Sequence, residues 1–138
     1  MPRKGKTSES KQSLESDYKQ KYLNAMISLE EVKSASKVNA IQLMHDKNIK
    51  QYTEIYIKMV SSSLELIETC ELCLFYIANQ SPNVKLAIRF IINVLNRHNK
   101  RTEKYKSTFH GASLQTVKHQ AKSIENLIKH LSALSKKI

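Results

Sequence analysis

The scarcity of helix-breaking residues constrains this chain more than any other feature. Its 138 residues include two Gly and two Pro, and between Gly5 and Gly111 the only such residue is Pro82. Sheets joined by hairpins need Gly or Pro turns at short intervals, because tight reversals demand a positive or a preset φ. An all-α fold is therefore expected, a helical bundle with one long N-terminal amphipathic helix and three shorter helices. The length suits one domain with a modest core. A hydrophobic content of 41% with 7% aromatics and no Trp is adequate for helix packing and thin for a sandwich.

Residues 1–12 hold no large apolar side chain after Met1 and carry Arg3, Lys4, Lys6 and Lys11 against Glu9. Nothing in them offsets the entropy of ordering the segment. A flexible basic arm is expected over 1–12, and a single helical domain over 13–138. Apolar residues then recur at Leu14, Tyr18, Tyr22, Ala25, Leu29, Val32, Ala35 and Val38. They continue through Ile41, Met44, Ile49, Tyr52, Tyr56 and Met59. Steps of three and four place these on one helix face, predicting a helix over about 14–60 with irregularities at 34–36 and 45–48. Ser62 with Glu65 offers a capping box that favours a break at 61–63, although three serines also fit an unbroken helix.

Residues 64–80 carry apolar side chains around most of the helix, which predicts a central position with 72–78 buried. Ser81 as N-cap and Pro82 at the first helical position open the third helix. Gly111 closes it, and Ser113 caps the last. There Leu114, Val117, Ala121, Ile124, Ile128 and Leu131 recur at bundle or coiled-coil spacing.

A helix over 14–60 is about 70 Å long, against about 25–40 Å for each later one. The excess leaves the stripe at 14–38 without a partner, and exposed stripes of that length mark interfaces. Leu14, Tyr18, Tyr22, Leu29, Val32 and Val38 are thus expected to pair in a homodimer or to seat a helical partner. The alternative is a break near 34–36 that folds the first helix back into a compact monomer.

Catalytic and metal-binding constellations are missing from the sequence. Cys70 and Cys73 have half the spacing of a zinc site, but no second pair exists. Reactive thiolates sit at helix N-termini or beside cations, whereas these two fall mid-helix near Glu68 and Glu71, so buried inert thiols are expected. His119 and His130 share a face but lie about 16 Å apart along a helix, too far for one ion. The histidines His45, His98, His110, His119 and His130 are expected to be solvated. No HExxH, phosphate loop or nucleophile elbow appears. The chain is expected not to be an enzyme, and to use no metal, cofactor or small-molecule substrate. Glu65, Glu68 and Glu71 are read as complementing the dipole at the start of the second helix. Two thiols suggest a reducing compartment, cytoplasm or nucleus. No apolar run approaches the ~20 residues of a membrane span or a signal core. The cationic faces also lack a Phe- or Trp-rich edge, so no membrane partner is expected.

The charge layout carries the functional expectation. There are 23 Lys and Arg against 12 Asp and Glu, net +11. Residues 81–138 hold twelve cations and two acids, net +10, while 61–80 is net −3. Arg97, Lys100, Arg101 and Lys104 form one helix face, and with Lys85 and Arg89 the cationic stripe runs about 28 Å. Lys118, Lys122 and Lys129 share a face of the last helix. Two such stripes suit a phosphate backbone, where counterion release drives binding without sequence preference. The expected function is non-enzymatic binding of duplex nucleic acid, RNA or DNA, by these residues with Arg3, Lys4 and Lys6 of the arm. The alternative is a helical scaffold or adaptor subunit held through the stripe at 14–38.

Overall fold

The computed structural model describes residues 2–138, and for 2–15 and Tyr52 the backbone alone. Four α-helices follow one another: α1 Pro2–His45, α2 Thr53–Ala78, α3 Val84–Tyr105 and α4 Gly111–Ser135. The expected all-α bundle with one long N-terminal helix and three shorter ones is what forms. Residues 2–12, where a flexible arm is expected, continue the α1 backbone instead, and their side chains lie outside the description.

The first reversal comes earlier than the sequence predicts. α1 stops at His45, and a single 3-10 turn, Ile49–Tyr52, leads into α2. Asp46 ends the helix locally, because its Oδ1 accepts the Asn48 N–H at 2.8 Å, a side-chain bond that competes with the helical one. Ile49 then turns inward and is fully buried. The capping box at 61–63 does not form. Those serines ride inside α2, with Ser62 and Ser63 buried, so the helix expected over 14–60 is two helices. Glu65, Glu68 and Glu71 consequently sit in the middle of α2 rather than at its positive end, which removes their dipole role.

The second reversal is where the sequence places it, but α3 starts at Val84 with Asn83 rather than Ser81 as its N-cap, so Pro82 precedes the helix instead of opening it. The Ser81 Oγ accepts the Asn83 N–H at 3.2 Å and the Ser81 carbonyl accepts from Val84, with Pro82 in the turn just ahead of α3. Gln80 adopts φ +50, a left-handed conformation, to finish α2. A 3-10 turn, Lys106–Thr108, joins α3 to α4. Gly111 does not close α3, which has ended at Tyr105; it takes φ +58 as the first residue of α4. His110, extended ahead of it, holds the cap position expected for Ser113, which lies inside the helix.

Short connections make the helices antiparallel neighbours in a ring: α1 packs on α2 and α4, and α3 on α2 and α4. Their inner faces build two apolar clusters. The larger holds Leu29, Val32, Leu66, Cys70, Ile91, Leu95, Ile124 and Leu127 among others. The smaller holds Leu43, Ile49, Met59, Phe109 and Val117. Each helix passes from one cluster to the other through polar residues at the same level: Ser36 and Asn39, Ser62 and Ser63, His98, and Gln120, all buried. The core is cut in two by a polar layer.

A corner helix in such a ring has only two neighbours, so about half its circumference stays in water. The expectation that α2 is central with 72–78 buried fails for that reason. Cys73 and Ile77 are buried, but Leu72 is 56% and Phe75 62% exposed.

Candidate nucleic-acid interface

On α3 the outer face carries Lys85, Arg89, Arg97, Lys100 and Lys104, all exposed. On α4, next to it, Lys118, Lys122 and Lys129 are exposed too. Among the described residues none of these eight joins a salt bridge; the ion pairs involve Lys21, Lys33, Lys58, Lys106 and Lys137. The geometry explains the spacing. The inner faces of α3 and α4 hold the apolar side chains that pack the core, leaving the polar remainder pointing out. The Lys104 ammonium rests 5.5 Å from the Tyr105 ring centroid, a weak cation–π contact that leaves its charge accessible.

Arg101 departs from this face. It is half-buried, and its Nη1 donates to the Ser62 Oγ at 3.1 Å. Its guanidinium leans over the polar layer toward α2, so Arg101 braces the bundle more than it faces outward. Arg3, Lys4 and Lys6 lie outside the described side chains.

The polar layer itself is a closed network drawn from all four helices. Gln120 Oε1 accepts from Asn39 Nδ2 at 2.8 Å and from His98 Nε2 at 2.9 Å. His98 therefore carries its proton on Nε2, and its Nδ1 accepts the Ser62 hydroxyl at 2.6 Å. Gln120 Nε2 donates to Ser36 Oγ at 3.0 Å, and Asn39 Nδ2 also reaches Ser63 Oγ at 3.3 Å. Burial drives the His98 pKa down to about 4, although the Gln120 hydrogen bond raises it and Arg101 lowers it further. The expectation that the histidines are all solvated is wrong here, because His98 lies on the inner face of α3. Ser62 and His98 are a hydroxyl and a base in contact, yet both are buried, and the Ser62 oxygen is already held by Arg101. Their arrangement serves packing specificity.

Cys70 and Cys73 are buried free thiols, as expected. Burial pushes both up to about 12, with the Cys73 thiol adding to the shift of Cys70. Among the described residues no group of three His, Cys, Asp or Glu could hold a metal ion. No described helix is long and apolar enough to cross a membrane.

The oligomer interface expected on α1 needs correction. Leu29 and Val32 are 0% exposed within the single chain, because α2 and α4 both pack on that face. Tyr22 is half-buried, its hydroxyl donating to the Ile77 carbonyl at 3.4 Å. Tyr18 and Val38 are exposed, and the side chain of Leu14 lies outside the description. Val38 belongs instead to the opposite, outer side of α1, with Leu23, Ile27 and Ile41. The sequence reading missed that outer set because the inward stripe at three-four spacing is the stronger pattern. It also missed the polar layer. The signal was present, since Gln120 stands between Val117 and Ile124 at helical spacing, and Asn39 between Ala35 and Leu43.

No family model, curated protein or solved structure matches this chain.

Proposed function

We propose that the protein is a non-enzymatic binder of duplex nucleic acid, contacting the phosphate backbone without sequence preference. The observation that supports this reading is the row of eight exposed cations, unpaired within the described residues, on the outer faces of α3 and α4. Neighbouring helices pack with axes about 8–10 Å apart, so the two rows lie side by side. A duplex offers one phosphate charge per about 1.7 Å of axis, which gives a 28 Å stripe many partners. The acidic residues of α2 lie diagonally opposite α4 in the ring, and among the described residues none of them pairs with a cation of α3.

Gel shift or fluorescence anisotropy with random duplex DNA and RNA across salt tests the reading. Affinity should fall with log salt at a slope of about −0.9 per phosphate contacted. Lys100→Glu with Lys104→Glu and Lys122→Glu should abolish binding while circular dichroism stays helical. Arg101 is left intact in this variant because it also holds Ser62. Undiminished binding by the triple variant discards the reading.

A second reading, a helical scaffold subunit, is favoured by the outer α1 residues Leu23, Ile27, Val38 and Ile41. It predicts a complex insensitive to salt and lost on Ile27→Asp with Val38→Asp.

A further inference from the structure

The hairpin of α2 and α3 leaves a surface that the core does not use and that meets the cationic row only at Arg97 and Lys104. Near the turn, Leu72 and Phe75 on α2 and Leu86 and Phe90 on α3 point outward. They are 56%, 62%, 62% and 55% exposed. Leu72, Leu86 and Phe90 flank a groove of about 450 Å³ floored by Thr69, Cys73, Tyr76 and Ala87, and Phe75 sits beside it with its ring edge-on to Tyr76. Four large apolar side chains gathered on one face of a small protein are an interface signal.

The charges along the two helices decide the occupant. Going away from the turn, the α2 stripe reads Phe75, Leu72, Glu68, Glu65, in steps of three and four. The α3 stripe reads Leu86, Phe90, Arg97, Lys104, in steps of four and seven. Each helix is apolar near the turn and charged beyond it, acidic on α2 and cationic on α3. Glu65, Glu68 and Arg97 are exposed and form no salt bridge among the described residues. A two-fold axis parallel to the helices would lay α2 of one copy on α3 of the other at the same level. Apolar residues then meet apolar residues, and Glu65 and Glu68 meet Arg97. That self-complementarity is what an isologous dimer requires.

We propose that a second copy of this chain covers the α2–α3 face, giving a parallel two-fold dimer. The available area is sufficient. The 22 residues of α3 span about 33 Å, and two helices together are about 20 Å wide. This is roughly 660 Å² before side-chain relief is added, near the ~800 Å² per partner of a standard interface. The outer α1 residues are a poorer seat. Ile27 and Val38 are separated by eleven positions without an exposed large apolar side chain, about 16 Å of helix. The dimer does not depend on the nucleic-acid reading; it takes Arg97 and Lys104 from the row of eight cations and leaves Lys85, Lys100, Lys118, Lys122 and Lys129 outward.

Sedimentation or light scattering on the full chain, in the absence of nucleic acid, tests it. The expected mass is twice the chain's 15.9 kDa, falling to one chain on dilution. Phe75→Ser with Phe90→Ser should give a monomer with unchanged helical circular dichroism, since both side chains are already in water. Glu65→Lys with Glu68→Lys should weaken association at least tenfold, and adding Arg97→Glu should restore most of it. A wild type that stays monomeric throughout the micromolar range overturns the proposal. So does a dimer indifferent to the two Phe substitutions, which would place the contact on another face.

Discussion

His98 Nε2 lies 2.9 Å from Gln120 Oε1, a buried bond that joins α3 to α4 within the polar layer of the core. Gln120 also binds Asn39 and Ser36 of α1, and His98 binds Ser62 of α2. The pair thus connects all four helices. A one-residue slip of any helix turns its side chains by about 100° and would carry its member out of the network. The layer fixes the register in which the bundle packs.

Acid should destabilise the bundle through His98. Its folded pKa, about 4, lies below the ordinary 6.5, so the unfolded chain binds the proton more readily. Stability is full above about pH 6.5 and declines as pH falls from there toward 4, by about 2 kcal/mol between pH 7 and pH 5. Urea unfolding at the two pH values should show this loss. The His98→Leu variant should be less stable at pH 7 yet lack this part of the pH dependence. An unchanged slope in that variant would remove His98 as the cause.

A separate loss is expected at lower pH from Asp46. The Ser113 hydroxyl donates to Asp46 Oδ2 and, as the largest influence, holds that carboxyl below its usual range, opposed by burial and helped by the Asn48 amide. The stabilisation is present above about pH 4 and disappears as pH falls through the lowered value. Asp46→Asn should flatten the acid limb of the unfolding curve below pH 4 and leave the pH 7 to 5 decline untouched.

Breaking the polar layer from one side should cost more than removing a matched pair. Gln120→Leu leaves the His98 N–H and one Asn39 contact unmet inside the core, a penalty of about 1–3 kcal/mol per orphaned group. The double variant His98→Leu with Gln120→Leu should lose less than the sum of its single variants. A double-mutant cycle by chemical denaturation measures that coupling, and strict additivity would show that the two side chains act independently.

Two backbone positions predict opposite effects. Gly111 has φ +58 and nothing within 4 Å of an added Cβ, so Gly111→Ala should cost about 1 kcal/mol from conformation alone. Gln80 has φ +50 with an exposed side chain, so Gln80→Gly should be neutral or stabilising by up to about 1 kcal/mol. Thermal unfolding of the two single variants checks the pair.

The two thiols should be silent in the native protein. With pKa values near 12, Cys70 and Cys73 have about a thousandfold less thiolate than ordinary cysteines at neutral pH. Labelling by a thiol reagent should therefore track global unfolding and speed up in denaturant.

The sequence by itself determined the helical class, the reversals near Pro82 and Gly111, and the outward placement of the cations on α3 and α4. These follow from local causes: too few breakers for a sheet, turn residues with fixed backbone demands, and apolar periodicity whose remainder must face water. Tertiary structure alone decided three things. One is that Asp46, whose local bond to the Asn48 amide ends the first helix, is also held by the distant Ser113 of α4. Another is that Leu29 and Val32 are core while Leu72 and Phe75 are surface, because a helix at the corner of a ring has two neighbours only. The last is that Asn39, Ser62, His98 and Gln120 meet. Each looks like an isolated polar residue in its own helix, and what it pairs with depends on residues up to 84 positions away, a relation no local pattern encodes.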